Sequence, residues 1–224
     1  MSDYVDKAAV DQIVSALERL NYWLDDYVTQ QNKLLGRSGA ICPFVAPSHK
    51  NNALEIRIRL TGDNPTFELL HEIAINALSE FRLTNWKGRN PMLHALIVVL
   101  PDLDVEKALL LDDVHAAVKD EFVEQGIMVG QFHPKCTVTS ARNDDFEVSR
   151  APVPALAIRN LAIHDIFFLG EKEAWFRKYQ SAFGKYYEKE STGIDPTLIE
   201  HFSAAQRRFP QPAGDIQVFG EERK

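Results

Sequence analysis

The chain has 224 residues, of which 45% are hydrophobic and 25% are charged, and its net charge at pH 7 is −7. This composition predicts a globular domain with a full hydrophobic core, and it argues against a disordered chain and against a basic surface for nucleic acid. Two distant cysteines and no apolar run of ~20 residues argue against a disulfide-rich secreted domain and a membrane span. We therefore expect a cytoplasmic protein with a small-molecule ligand and no nucleic-acid or membrane partner.

The first third of the chain carries a helix, a loop and a strand. Apolar residues at helical spacing predict a long helix over residues 5–31. Residues 36–52 are rich in glycine, proline and small polar residues, which predicts a long irregular loop with some inward-packing apolar residues. Residues 53–60 alternate between apolar and charged side chains and predict a half-buried strand. Asn64-Pro65 then predicts the cap and first residue of a second helix, which continues to Phe81.

The middle of the chain contains the most buried predicted strand. Residues 93–100 are continuously apolar and rich in β-branched side chains, which is typical of a strand covered on both faces. A third helix face follows from Val114 to Phe122, with Gly126 as the residue just after the helix. Residues 127–132 predict the next strand.

A fourth short strand over 154–161 and two helices, over 171–190 and 195–208, complete the predicted elements. The fold class that follows is α+β, with a mixed sheet of about four strands covered by helices. We expect one domain with four parts, namely an N-terminal helix, an α/β core, two C-terminal helices and a loose tail (1–32, 33–170, 171–210, 211–224). The apolar, aromatic C-terminal helices would also allow a homodimer.

Cys42 and His133 are the two residues with the strongest chemical potential. Pro43 pushes Cys42 towards an extended backbone and removes an amide donor near the sulfur. Cys42 is then either a reactive or metal-bound thiolate or an inert, packed thiol. His133 ends the third strand, in a Gly-Gln-Phe-His-Pro run, and fits a metal ligand, an axial heme ligand, a general base or a hydrogen-bonded structural histidine.

Arginines follow these two residues along the chain. Arg150 and Arg159 could clamp a carboxylate, a phosphate or the propionates of heme through their planar guanidinium groups. The alternative is surface salt bridging with the nearby acidic residues Asp144, Asp145 and Glu147.

Two combinations of these residues would form a site. Cys42 and His133 could act as nucleophile and base, with Asp144 or Asp145 orienting the imidazole. Cys42 and His49 could instead join the His133-x-x-Cys136 pair in a Cys₂His₂ zinc site.

The order of the motifs resembles a family. Cys42-Pro43-Phe44, then the buried strand, then the Gly-x-Phe-His-Pro run and then Arg150 to Arg159 resemble a group of bacterial proteins described as a domain of unknown function, over about residues 36–170. The same order is more distantly similar to the heme-dependent N-hydroxylases of the guanitoxin type. That likeness implies heme iron, oxygen and an amine or guanidine substrate. It also implies a set of candidate axial ligands, aromatic wall residues and propionate-binding cations (Cys42, His133 and His164; Phe44 and Phe132; Arg150 and Arg159).

We therefore predict a heme-binding, oxygenase-like oxidoreductase acting on a small nitrogen-containing metabolite, with Cys42, His133, Arg150 and Arg159 as the catalytic set. A Cys/His thiol enzyme, a zinc-site protein and a non-catalytic small-ligand binding domain are the alternatives. Whether the chain is an enzyme is left open by the sequence.

Overall fold

A computed structural model describes residues 7–188 and 193–210 of the chain. The chain divides into two compact units, residues 1–162 and 163–224. The prediction of a single domain stays a prediction. The tail predicted to be loose from residue 211 lies outside the described residues.

The described residues of the first unit form four α-helices and four strands, and the N-terminal helix continues directly into a π-helical turn over Leu24–Val28. The elements of this unit follow in chain order: α1 (Lys7–Trp23), α2 (Val45–Lys50), β1 (Leu54–Ile58), α3 (Phe67–Leu83), β2 (Ala95–Val99), α4 (Leu110–Glu124), β3 (Ile127–Phe132) and β4 (Ala155–Asn160).

The strands form one mixed sheet in the order β1-β2-β4-β3. β1 and β2 are parallel, as expected for two strands joined through a helix, and β4 is antiparallel to both β2 and β3. The α+β class and the four-stranded mixed sheet are thus confirmed. β1 and β3 are the edge strands.

The sheet separates two hydrophobic cores. Leu96 and Val98 of β2 pack with α3 and α4, whereas Ile97 and Val99 pack with α1 and the π-helical turn. Full burial of such a side chain stabilises the fold by about 1.5–3 kcal/mol, so both faces of β2 contribute. β2 is continuously apolar because helices cover it on both sides, as the sequence predicts.

Two local predictions are corrected. The predicted loop over 36–52 contains α2, a helix of 6 residues that is too short to show a helical repeat. Pro47 is tolerated because it lies in the first turn, where amide groups have no partner within the helix. α3 is capped by Thr66 rather than Asn64, since the Thr66 side chain accepts a hydrogen bond from the Leu69 amide. Gly126 follows α4 with φ +77°, as predicted.

The second unit is helical in its described part. It comprises α5 (Ile166–Leu169), α6 (Glu173–Phe183), α7 (Lys185–Glu188) and α8 (Pro196–Arg208), so the second predicted C-terminal helix is confirmed with Asp195 as its cap. Tyr179 is fully buried, and its hydroxyl donates to the Ile163 carbonyl oxygen at 2.6 Å. No helix in the described ranges is long and apolar enough to span a bilayer.

Candidate metal centre

His133 lies immediately after β3 and is completely buried. Its main chain continues the ladder beyond the strand by bridging to Arg150. Its carbonyl oxygen accepts hydrogen bonds from the amides of Cys136 at 3.1 Å and Ala151 at 3.2 Å. The backbone on both sides of the following loop therefore fixes the position of the imidazole.

The imidazole contacts a carboxylate of the opposing helix. Asp112, in the first turn of α4, has one oxygen, Oδ1, that lies 3.1 Å from His133 Nε2 and 3.0 Å from Gln131 Nε2. An ionised carboxylate only accepts hydrogen bonds, so Nε2 of His133 carries the proton of this contact. His133 Nδ1 is buried and has no hydrogen-bond partner within the described part of the chain. In the neutral ring that nitrogen carries a lone pair.

Cys136 completes a group of three different donor atoms. Its thiol is fully buried, makes a long contact of 3.9 Å to the Gln131 carbonyl oxygen, and also interacts with the Val138 backbone. Burial raises the pKa of the Cys136 thiol, which favours the protonated form in the absence of a cation. One ligand atom from each of Asp112, His133 and Cys136 lies within 4.8 Å of the other two. We call these three residues the Asp-His-Cys cluster.

The local fold explains why Asp112 meets a histidine 21 positions away. α4 and β3 run antiparallel on either side of the turn at Gly126. Going back from Gly126 to Asp112 covers about 21 Å of helix at 1.5 Å per residue, and going forward to His133 covers about 23 Å of strand at 3.3 Å per residue. The two lengths match, so the start of the helix lies beside the end of the strand.

The Asp-His-Cys cluster has the chemistry of a zinc site. Aspartate oxygen, histidine nitrogen and cysteine sulfur are the three side-chain ligand types that Zn²⁺ takes in proteins. His133 and Cys136 are 0% exposed, whereas the Asp112 side chain is 39% exposed. An ion held here would be covered by protein on the His133 side and open to solvent beside Asp112.

Cys42, Phe44 and Arg159 lie on the opposite face of the sheet. Cys42 packs with the core that contains Ile97 and Val99, and its amide donates to the Val28 carbonyl oxygen at 2.9 Å. The Arg159 guanidinium lies 5.0 Å from the centroid of the Phe44 ring. The Cys-Pro-Phe motif and Arg159 are thus close together, but not beside the imidazole of His133.

Two predicted combinations are therefore not formed. Cys42 and His133 cannot act as nucleophile and base from opposite faces of the sheet. The Cys₂His₂ set is not assembled among the described residues either, because Asp112 lies beside His133 and Cys136 where the sequence suggested Cys42 and His49. His164 belongs to the second unit, in a 3₁₀ turn over Ile163–Asp165.

Arg150 lines a surface cleft on the α1 face, and Phe132 packs against Trp23, which also lines it. Arg150 Nη2 forms a salt bridge with Glu147 Oε2 at 2.5 Å, which is the surface pairing that the sequence left open as an alternative. The Phe132 ring meets Trp23 edge-on, with 5.6 Å between centroids. Neither Cys42 nor His133, the predicted axial ligands in the first unit, lines this cleft.

Sequence reasoning missed the roles of Asp112 and Gln131. Asp112 precedes the predicted helix face that begins at Val114, and Gln131 lies within the predicted third strand. The predicted helix, turn and strand could have indicated them. The helix from Asp112 to Gly126 and the strand from Gly126 to His133 have nearly equal lengths, so a turn at Gly126 brings Asp112 beside His133.

The fold and the site together describe a mixed-sheet α+β protein with a buried cluster of candidate metal ligands. Residues 17–193 match the family model described as Domain of unknown function (DUF6875), and the chain belongs to that family. The match includes every residue of the Asp-His-Cys cluster. Neither the comparison with curated proteins nor that with solved structures gives a match.

Proposed function

We propose that this chain is a zinc-binding protein whose ion is held by Asp112, His133 and Cys136. The observation that carries the proposal is the convergence of three different ligand atoms within 4.8 Å around a fully buried imidazole. An ion bound by all three residues would take Nε2 of His133, the ring nitrogen that faces Asp112, in place of the hydrogen bond between them.

The neighbouring contacts support the same proposal. Ligating carboxylates are usually themselves hydrogen-bonded. Asp112 accepts from the Gln131 side-chain amide, so the carboxylate is held in place to bind the ion. Lys135 pairs with Glu106 nearby, which ties the loop after His133 to the turn before α4.

Three protein ligands and one open side are typical of catalytic zinc rather than of closed structural sites. Zinc in such a site acts as a Lewis acid and lowers the pKa of a bound water to about 7. Asp112 lies on the solvent side, where it would accept a proton or a hydrogen bond from a polar ligand. His133 and Cys136 would anchor the ion from the protein interior.

Metal analysis of purified protein tests the proposal. The protein is expressed with zinc supplied, gel-filtered, and analysed for zinc, iron, copper and nickel per chain. We expect about one zinc per chain, and a loss of at least about 90% in His133→Ala and in Cys136→Ser. Cys42→Ser is the matched control, since it removes the other thiol and should retain its zinc. Substoichiometric zinc in the wild type, or zinc unaffected by Cys136→Ser, would overturn the proposal.

The heme prediction is tested by the same sample. Heme needs an axial ligand beside an apolar slot, with cations for its propionates. Cys42 and His133 lie on opposite faces of the sheet, so they cannot both be axial ligands of one heme, and Arg150 is paired with Glu147. We expect the ultraviolet–visible spectrum, recorded after growth with a heme precursor, to lack a Soret band. A Soret band that is present in the wild type and lost in His133→Ala would show that His133 binds heme rather than zinc.

A further inference from the structure

A surface cleft lies on the α1 face, separate from the Asp-His-Cys cluster. Its volume is about 410 Å³, within the range of small-molecule sites. Three of its seven lining residues are aromatic, two are acidic and one is basic (Tyr22, Trp23 and Tyr27; Asp26 and Glu147; Arg150; with Pro152).

The aromatic walls are built at an irregular point of the N-terminal helix. α1 ends at Trp23 and the π-helical turn follows at once, so that Asp26 and Tyr27 lie on a widened turn. Such turns are rare and are found frequently at functional sites. The Trp23 and Tyr27 rings stack with 6.0 Å between centroids and an interplanar angle of 23°.

Residues behind these rings hold them in position. Phe132 packs edge-on against Trp23, and Phe146 lies 6.5 Å from Tyr27 between centroids. The indole nitrogen of Trp23 is buried and has no hydrogen-bond partner among the described residues. Burial raises the pKa of Tyr27, so its ring remains a neutral phenol. The cleft therefore has a fixed aromatic wall rather than a set of mobile surface rings.

The seven lining residues carry two carboxylates and one guanidinium. Glu147 and Arg150 neutralise each other in their salt bridge. No hydrogen bond or ion pair joins Asp26 to another residue of 7–188 and 193–210, so its carboxylate is available to a ligand, while the Arg19 guanidinium lies beside the cleft and donates to the Pro152 carbonyl oxygen at 3.4 Å. Aromatic faces and a carboxylate together favour a cation, since the faces of tryptophan and tyrosine rings attract positive charge.

We propose that this cleft binds an alkylated ammonium group, held against the Trp23 and Tyr27 rings with Asp26 as its counter-charge. A neutral ligand of the same shape would gain the apolar contact but neither the ring attraction nor the ion pair. An anion would meet Asp26 and an arginine that already has a partner. The site is independent of zinc, because its residues lie on the other face of the sheet from Asp112.

Calorimetric titration with choline and with its neutral isostere 3,3-dimethyl-1-butanol tests the proposal, using full-length protein treated with chelator. We expect saturable choline binding and at least about ten-fold weaker binding of the alcohol, as the loss of a cation–π contact and an ion pair implies. Equal affinities for the two probes, or no binding of choline, would overturn it.

Two substitutions locate the binding. Asp26→Asn keeps the shape of an exposed side chain and should weaken choline binding about three- to ten-fold. Asp25→Asn is the matched control, since Asp25 is the neighbouring exposed acid and does not line the cleft. Tyr22→Ala removes a ring that is 71% exposed, so it should weaken choline binding without unfolding the protein. Unchanged affinity in both Asp26→Asn and Tyr22→Ala would contradict the assignment to this cleft.

Discussion

The two faces of the sheet carry opposite kinds of site. On the α4 face, the Asp-His-Cys cluster gathers small polar donors in a nearly closed position. On the α1 face, the cleft presents large rings and an unpaired carboxylate to solvent. The first arrangement suits an ion that replaces water on buried ligands, and the second suits a soft organic cation that keeps part of its solvation.

One short stretch of chain serves both faces. Phe132 packs behind Trp23 on the α1 face, whereas Gln131 and His133 contact Asp112 on the α4 face. Successive side chains of an extended strand point to opposite sides, so a contiguous motif is divided by the sheet. Consecutive residues of this stretch, such as Phe132 and His133, therefore cannot contribute their side chains to the same site.

Removal of two metal ligands is expected to have the largest effect on one site while leaving the other unchanged. In the double variant His133→Ala with Cys136→Ser, we expect zinc affinity to fall by more than about 100-fold, because two of three ligands are gone. Choline affinity should not change, since no cleft residue is altered. Zinc titration and choline calorimetry on the same sample measure both effects, and a parallel loss of both would show that the two sites are not independent.

Asp112→Asn should lower zinc affinity by about 10–100-fold, because the amide keeps the shape but loses the charge. Asp113→Asn provides the control, since Asp113 lies in the same first turn of α4 and makes the same contribution to the helix dipole. Competition with a zinc chelator measures the difference. Equal effects of the two substitutions would assign the loss to helix electrostatics instead of coordination.

Trp23→Phe should weaken choline binding by about two- to five-fold, because phenylalanine attracts a cation less strongly than tryptophan. Zinc affinity should be unaffected. Trp86→Phe is the comparison, as its indole lies on the α3 face and stacks on His94. Choline binding that responds to Trp86 and not to Trp23 would place the cation elsewhere.

The smallest expected effect concerns acid stability. Burial, with Lys119 nearby, lowers the pKa of His115, while Asp112 and a hydrogen bond with the Val129 backbone oppose this. Below about pH 6.5 the unfolded chain binds a proton that the native protein resists, so stability falls as the pH decreases. The free energy of unfolding should therefore fall less between pH 7 and pH 5 in His115→Gln than in the wild type, by a difference of less than about 1 kcal/mol.

Urea unfolding at the two pH values, with chelator present to remove any zinc contribution, measures the His115 effect. His49→Gln is the control, because His49 is exposed on α2. An acid loss that is as large in His115→Gln as in the wild type would contradict the assignment.

The sequence was sufficient for those elements whose pattern repeats. The buried run of β2 predicted a strand covered on both faces, and Gly126 predicted the end of α4, because each has one local cause. α2 and the π-helical turn were not predictable in this way. Six residues are too few to show a helical repeat, and a widened turn differs from an α-helix by a single residue.

The candidate site shows the limit more sharply. The His-x-x-Cys spacing drew attention to His133 and Cys136, but their third partner comes from the opposite end of the preceding helix. Cys42 seemed a natural partner on chemical grounds alone. Only the strand order and the alternation of β3 place Asp112 beside His133 and leave Cys42 behind the sheet.

Cobalt(II) titration of the chelator-treated protein tests the zinc site most directly, because a thiolate bound to cobalt gives an intense near-ultraviolet charge-transfer band. We expect this band to grow to one cobalt per chain in the wild type and in Cys42→Ser, and to be absent in Cys136→Ser. A band that persists in Cys136→Ser, or that disappears in Cys42→Ser, would contradict the Asp-His-Cys cluster as the metal centre.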